Sequence, residues 1–172
     1  MGLNRREIVR QSGGAIALSL ARANLIHAAA KPRIRVGQIG VGHAHASKLA
    51  AYRSSPDYEV VGIAEPDDKL RQLAEKQSAF SGLRFMTREE LLATPGLQAV
   101  LVETRVGDLL DNAEAAIAAG KHIHIDKPPG ESLTRFRKSL ENAARNKLIV
   151  QMGYMYRYNP AVVLLRECLA KG

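Results

Sequence analysis

Short apolar runs alternate with amphipathic segments along the chain from Lys31 onward. Apolar runs rich in β-branched residues predict strands, and apolar positions three or four residues apart predict helices. A strand that begins at Ile34 runs into closely spaced glycines, and the other predicted strands are Tyr58–Ala64, Arg84–Met86, Leu97–Glu103, Ile123–Ile125 and Leu148–Met152. The predicted helices are Ala46–Ser54, Asp67–Ser78, one opened by a Thr87–Glu90 capping box, Asp108–Ala119, Ser132–Arg145 and Pro160–Lys171.

The order of these elements predicts the fold class. Strands that alternate with helices through short links are typical of an α/β protein with a doubly wound parallel sheet and helices on both faces. Ligands of such sheets bind outside the carboxyl ends of the strands. We therefore expect the groups that follow the strands to converge on one crevice: Gly42–His45, Glu65, Thr104–Arg105, Asp126–Pro128 and Tyr154–Tyr158.

The stretch from Ile34 to His45 has the pattern of a dinucleotide-binding turn. Gly40 and Gly42 allow a tight turn and the close approach of a pyrophosphate, and the next helix offers free N–H groups to the phosphates. His45 stands where the G-x-G-x-x-G pattern has its third glycine. The alternative is that the two glycines serve only as turn residues between a strand and a helix.

Glu65 closes the second predicted strand, 25 residues after Gly40. A carboxylate in this place suits the ribose hydroxyls of NAD, and it would repel the 2′-phosphate of NADP. The sequence therefore predicts NAD as the cofactor, with NADP disfavoured. Arg71, on the next helix, is the residue that could instead reach a phosphate, and the alternative for Glu65 is a solvated side chain before a Pro turn.

Composition and charge narrow the function classes. The chain has 172 residues, 46% hydrophobic and 24% charged, as expected for a soluble globular domain with one core. The formal net charge is +8, but the positive residues are scattered and aromatic residues make up 5%, which argues against a nucleic-acid partner. Cys168 is the only cysteine, so an intrachain disulfide is excluded, and we expect it to be a small apolar helix residue.

The first thirty residues have the features of an export signal. Arg5 and Arg6 precede the modestly apolar stretch Gly13–Ala21, and Ala28–Ala30 offers small residues for a signal peptidase. This resembles a twin-arginine signal and predicts a periplasmic protein; the alternative is an amphipathic N-terminal helix on a cytoplasmic protein. The apolar stretch is too short for a membrane span. Without residues 1–30 the formal charge falls to +5.

Two later segments resemble a known family. Gly120–Pro128 looks like the "aGkHv…EKP" signature of the Gfo/Idh/MocA oxidoreductases, with Asp126 in place of the usual Glu, and Gly153–Pro160 is similar to the family's "vgy..Rf.P" stretch. The resemblance covers nearly everything after residue 31. It implies a Rossmann-type NAD(P)-binding domain of an oxidoreductase that transfers hydride to or from a small-molecule sugar, polyol or related hydroxyl compound.

The resemblance also implies the site residues. Lys127 is the expected catalytic residue, oriented by Asp126; the alternative is that Lys127 only pairs with Asp126 or with a phosphate. The expected cofactor-binding residues are Gly40, Gly42, His43, Ala44, His45, Glu65, Thr104, Arg105, Asp126, Lys127, Pro128 and Arg157. We expect no metal at the four histidines of the turn and the fifth strand, because no carboxylate or cysteine completes a ligand spacing around them.

The chain departs from the family pattern in two places. Thr104–Val106 replaces the Thr-Pro-Asn that many members carry, and the second α/β domain, which usually supplies a catalytic His, is missing. We expect a signal segment at 1–30, a dinucleotide-binding domain at 31–158, and at 159–172 the start of a helix leading to the absent domain. The chain is then a fragment or truncated product of a homo-oligomeric parent. The alternatives are an NAD-using glycosidase of the same family and a binding-only domain without activity.

Overall fold

The computed structural model describes residues 31–172, and the predicted export signal at 1–30 lies outside the described residues. One parallel sheet of six strands organises this part of the chain, in the order β3-β2-β1-β4-β5-β6. The strands are β1 (Ile34–Ile39), β2 (Tyr58–Ala64), β3 (Phe85–Met86), β4 (Ala99–Val102), β5 (His122–Ile125) and β6 (Val150–Met152). The order reverses between β1 and β4, which confirms the doubly wound α/β class.

Six α-helices connect or follow the strands. They are α1 (Leu49–Ser54), α2 (Asp68–Glu75), α3 (Arg88–Leu92), α4 (Leu109–Ala118), α5 (Leu133–Arg145) and α6 (Pro160–Lys171). Each lies within a residue or two of its predicted bounds, except that the first predicted helix begins with a 3-10 turn, Ala46–Lys48, and the second ends at Glu75. The predicted capping box is confirmed: the Thr87 side chain accepts from Glu90 N–H, and the Glu90 side chain accepts from Thr87 N–H.

The two faces of the sheet carry separate cores. On one face Phe80 and Leu49 pack with strand residues such as Ile63. On the other face Leu109 and Ile117 of α4 pack with strand residues that include Val100, Val102, Ile123 and Ile125. Strands covered on both sides explain the nearly continuous apolar runs in the sequence.

The C-terminal helix α6 differs from the others because none of its residues is buried. Leu164, Leu165 and Leu169 are 61%, 58% and 75% exposed, and Cys168 lies exposed on the same helix. Within residues 31–172, no helix has both the length and the apolar character needed to cross a bilayer.

Candidate functional site

The turn after β1 needs glycine at position 40. Gly40 has a φ of +87°, and an added Cβ would lie 2.6 Å from Thr104 Cγ2 and 2.8 Å from the carbonyl carbon of Glu103. The backbone N–H groups of Gly42 and Ala44 have no acceptor within the described part of the chain. A tight turn with free N–H groups is what a pyrophosphate requires, so these residues fit a dinucleotide.

Glu65 ties the glycine turn to the end of β2. Its Oε2 accepts a hydrogen bond from Val41 N–H at 2.9 Å, and its Oε1 accepts one from Asp67 N–H at 2.9 Å. The side chain is 7% exposed, so the alternative of a solvated glutamate is wrong. Each carboxylate oxygen can accept a second hydrogen bond, so Glu65 retains capacity for a ribose hydroxyl.

Glu65 lines a crevice of about 780 Å³ beside the ends of β2 and β3, called here the first crevice. Gly42, Thr104 and Arg105 line it as well, and so does Arg71. The Arg71 guanidinium lies 2.7 Å from Asp68, and the Arg105 guanidinium lies 3.5 Å from Asp67. Arg88 also lines the crevice, and its guanidinium lies 2.9 Å from Glu89. All three arginines of the crevice are therefore already close to carboxylates.

A second crevice, of about 820 Å³, lies beside β6. His45 and Arg157 line it, together with Tyr154 and Tyr158. The sequence predicted that the groups after the strands can converge on one crevice, and the structure has two crevices, one on each side of the glycine turn. The glycine turn contributes Gly42 to the first crevice and His45 to the second, because the turn lies where the strand order reverses.

A buried charge cluster lies under the turn and consists of Lys48, Glu103 and Asp126. The two carboxylates are 0% exposed. Lys48 Nζ lies 2.8 Å from Glu103 Oε1 and 2.8 Å from Asp126 Oδ2. The ammonium is therefore shared between two acids that follow neighbouring strands, β4 and β5.

Three imidazoles surround the charge cluster. His43 Nδ1 lies 3.3 Å from Asp126 Oδ2 and 3.7 Å from Glu103 Oε2, and His45 Nδ1 lies 3.0 Å from the same Asp126 oxygen. His124 Nε2 is 2.9 Å from Lys48 Nζ, so the imidazole accepts a hydrogen bond from the ammonium. Lys48 and His124 also line the second crevice, which places the charge cluster at its wall.

The pKa values of the two acids of the charge cluster are shifted in opposite directions. Burial raises the pKa of Glu103 to about 7, against the attraction of Lys48. Burial would also raise the pKa of Asp126, but hydrogen bonds from Lys48 and from the Lys127 N–H hold it well below its usual range. Burial lowers the pKa of His43 and of His124, so both rings are neutral at pH 7.

His43, His45 and Asp126 bring ligand-type atoms within 4.8 Å of one another, a juxtaposition that spacing in the sequence did not reveal. The same Asp126 oxygen, however, already accepts from the Lys48 ammonium at 2.8 Å. A second cation beside that ammonium would be repelled. We therefore assign this cluster to charge pairing rather than to a metal.

Lys127 is exposed at the end of β5. Its backbone N–H donates to Asp126 Oδ1 at 2.6 Å, and the Lys127–Pro128 peptide bond is cis. Within residues 31–172 no carboxylate forms an ion pair with its ammonium, so Asp126 contacts the backbone of Lys127 and pairs with Lys48 instead. The structure therefore contradicts the alternative in which the Lys127 ammonium pairs with Asp126.

Of the remaining predicted residues, Arg157 lines the second crevice and Pro128 lines neither crevice. Pro128 is exposed beside Lys127, and Arg157 lies with its guanidinium 6.0 Å from the centre of the Tyr158 ring. Sequence reasoning missed Lys48 and Glu103. Glu103 closes an apolar strand as Glu65 does, so the signal that identified Glu65 was present there too. No comparable signal marked Lys48, which pairs with residues far away in the sequence.

The fold and the turn together define a class: a Rossmann-type domain with a glycine turn at the switch point of a doubly wound sheet. The chain belongs to the Gfo/Idh/MocA family. Residues 34–154 match the family described as "Oxidoreductase family, NAD-binding Rossmann fold". The resemblance seen in the sequence is therefore confirmed.

Several characterised proteins are similar to this chain. Inositol 2-dehydrogenase of Agrobacterium fabrum is 28% identical over 140 residues, which cover 79% of this chain and 41% of that protein. The scyllo-inositol 2-dehydrogenase (NAD(+)) of Bacillus subtilis is 28% identical over 134 residues, covering 75% of this chain and 38% of that protein. The chain thus spans about two fifths of these relatives.

A solved structure shows the same fold. The scyllo-inositol dehydrogenase of Lactobacillus casei, with bound NAD(H) and scyllo-inositol, matches with a TM-score of 0.69 at 19% identity. The match covers 82% of this chain and 42% of that one. At this identity the match supports the fold alone.

Proposed function

We propose that residues 31–158 bind NAD as the cofactor domain of an oxidoreductase acting on a sugar, a polyol or a related hydroxyl compound. The observation that carries the proposal is the turn at Gly40, whose geometry excludes a side chain and whose neighbours Gly42 and Ala44 present free N–H groups. The family and its inositol dehydrogenase members support the reaction class.

Each side of the turn has its own part in this proposal. The N–H groups of the turn hold the pyrophosphate, and Glu65, in the first crevice, accepts from the ribose hydroxyls. The bound nicotinamide supplies the hydride acceptor. Lys127, exposed at the end of β5, stabilises the alkoxide that develops at the substrate carbinol and takes part in the proton transfer.

The test is a titration of NAD and NADP against the purified chain. We expect NAD to bind more tightly, because Glu65 faces the first crevice and its three arginines, Arg71, Arg88 and Arg105, already lie near carboxylates. Tighter binding of NADP, or no binding of either, would overturn the proposal.

Two glycine variants make the titration specific. Gly40→Ala adds a Cβ that meets backbone at 2.8 Å, whereas Gly82→Ala has a similar positive φ, +74°, with nothing within 4 Å. Both carry comparable backbone strain, but only Gly40→Ala should abolish binding. Equal binding by the two variants would reject the role of the turn.

We further propose that the protein is exported folded, with its cofactor bound, through the twin-arginine signal at Arg5 and Arg6. Because free NAD is scarce outside the cytoplasm, the parent would then recycle one bound nicotinamide. Replacing both arginines by lysine should retain the protein in the cytoplasm, as fractionation would show. Unchanged export of that variant would contradict the proposal.

For the parent protein we propose a second domain, to which the helix at 159–172 leads, and a homo-oligomeric assembly. The exposed leucines of α6 support the first part, since such a row is normally covered. Analytical ultracentrifugation of the full-length parent tests the second part, and a monomer would contradict it.

A further inference from the structure

The charge cluster under the glycine turn contains one more acid than base. Lys48 supplies a single ammonium to two carboxylates that are both 0% exposed. Glu103 has no hydrogen-bond donor aligned on either of its oxygens, although the Lys48 ammonium lies 2.8 Å from Oε1. Asp126, in contrast, accepts from both Lys48 and the Lys127 N–H. Glu103 is therefore the acid left without adequate compensation.

We propose that Glu103 is a charge-compensating residue that makes the site bind oxidised, cationic NAD⁺ in preference to NADH as the carboxyl group ionises. The proposal rests on the proposed binding of NAD. Glu103 would then determine which oxidation state of the cofactor binds more tightly.

The position of Glu103 places it in the half of the fold that takes the nicotinamide. A doubly wound sheet binds one mononucleotide on each side of its switch point. The first crevice, with Glu65 at the end of β2, suits the adenosine ribose, so the nicotinamide belongs to the half built from β4, β5 and β6. Glu103 directly follows β4, and its backbone carbonyl accepts from His43 N–H of the turn at 3.0 Å.

The titratable groups around Glu103 leave its charge uncompensated. His43 faces it from the turn, Lys48 from the 3-10 turn and Tyr52 from α1. From β5, His124 Nε2 lies 3.9 Å from Oε1, and Asp126 follows that strand. Burial keeps His43 and His124 neutral and raises the pKa of Tyr52, so Lys48 is the one cation in contact with Glu103 in the described residues.

The charge of the cluster therefore depends on one proton. With Glu103 protonated, Lys48 and Asp126 balance each other, and with Glu103 ionised the cluster has one excess negative charge. The nicotinamide ring is cationic in NAD⁺ and neutral in NADH, so only NAD⁺ gains from the ionised state. The change falls in the physiological range, because the pKa of Glu103 is about 7.

Linkage makes the proposal measurable by binding alone. If ionised Glu103 favours NAD⁺, then NAD⁺ must favour ionised Glu103 and release protons on binding near pH 7. The first measurement is calorimetric titration of the unmodified chain in two buffers of different ionisation enthalpy. We expect NAD⁺ to release a fraction of a proton near pH 7 and NADH to release none.

The second measurement is the ratio of the two dissociation constants, NADH over NAD⁺, between about pH 6 and about pH 8.5. We expect this ratio to rise about fivefold or more in the unmodified chain, the lower range of measured coupling between sites. Glu103→Gln should abolish the rise, because the amide is neutral at every pH. The control Glu59→Gln, at the opposite ends of the strands beside Arg35, should leave the rise intact.

Each result of these measurements either supports or overturns the role proposed for Glu103. A ratio that stays constant with pH in the unmodified chain, equal proton release by both cofactors, or an unaltered rise in Glu103→Gln overturns the inference. If Glu103→Gln does not fold, proton release by the unmodified chain still decides it. If neither cofactor binds at any pH, the proposed function itself fails.

Discussion

Glu65 and Glu103 hold equivalent positions on the two sides of β1, yet their surroundings differ completely. Each directly follows a strand that pairs with β1, and each is buried. Glu65 accepts from two backbone N–H groups, which are fixed by the fold. Glu103 has only the ammonium of a side chain, Lys48, and shares that ammonium with Asp126.

Under the proposed function, this difference gives the two sides of the site different roles. Backbone donors compensate the Glu65 side permanently, so that side is suited to hold a neutral, hydroxyl-bearing part of the ligand. A single shared cation compensates the Glu103 side incompletely, so that side responds to protons and to the charge of a ligand. Variants on the two sides should therefore change different measurable quantities.

The largest effect is expected at Lys127, on the Glu103 side. Lys127→Ala in the full-length parent should reduce turnover by roughly 10²–10⁴-fold, the range for a lost acid–base group, with little change in NAD affinity. Lys138→Ala, on the exposed face of α5, is the control. Steady-state kinetics together with NAD titration measures both quantities, and unchanged turnover would reject the assignment of Lys127.

Removing the shared ammonium should have the next largest effect. Lys48→Met leaves two buried carboxylates without a cation and should lower the free energy of unfolding by about 3–5 kcal/mol. Urea denaturation measures this, with Lys138→Met as the exposed control. Adding Glu103→Gln to Lys48→Met should recover part of the loss, because one uncompensated charge disappears. A loss no greater than in the control would contradict the shared pairing.

The pH dependence of stability should reveal the ionisation of Glu103. The pKa of Glu103 rises from 4.5 to about 7 on folding, so the folded chain binds more protons between these values. The stabilisation that Glu103 contributes is fully present below pH 4.5 and is lost as the pH rises through 7. The total loss is on the order of 3 kcal/mol.

Unfolding curves of the wild type and Glu103→Gln between about pH 5 and about pH 8 provide the test of that pH dependence. The lowered pKa of Asp126 has the opposite effect on stability. The stabilisation that Asp126 contributes is present above pH 3.8 and disappears only as the pH falls further. It therefore leaves this window undisturbed. A parallel loss of stability in both proteins would show that Glu103 is not the group responsible.

The smallest effect is expected on the Glu65 side. Glu65→Gln places an amide donor against one of two backbone N–H groups and removes an acceptor for the ribose. NAD affinity should fall about tenfold, the effect of one hydrogen bond to a charged group. Turnover of the parent at saturating NAD should be unchanged. Glu75→Gln, on an exposed part of α2, is the control, and equal affinities in the two variants would remove Glu65 from the site.

Local regularities in the sequence were sufficient for most of the fold. The apolar run Tyr58–Ala64 is a strand with those same bounds, and the Thr87–Glu90 capping box forms as predicted. These features depend on residues a few positions apart. The same holds for the turn at Gly40, where glycine spacing predicted a conformation that a side chain would obstruct.

Sequence alone thus determined the class of fold, the strand ends that bear functional groups, and the family. Tertiary structure alone decided that Asp126 pairs with Lys48 rather than with Lys127, and that Glu103 competes for the same ammonium. It also divided one predicted crevice into two. The physical reason is that pattern and propensity act over a few residues, whereas the charge of a buried group depends on side chains that only the packing of distant strands brings within 3 Å.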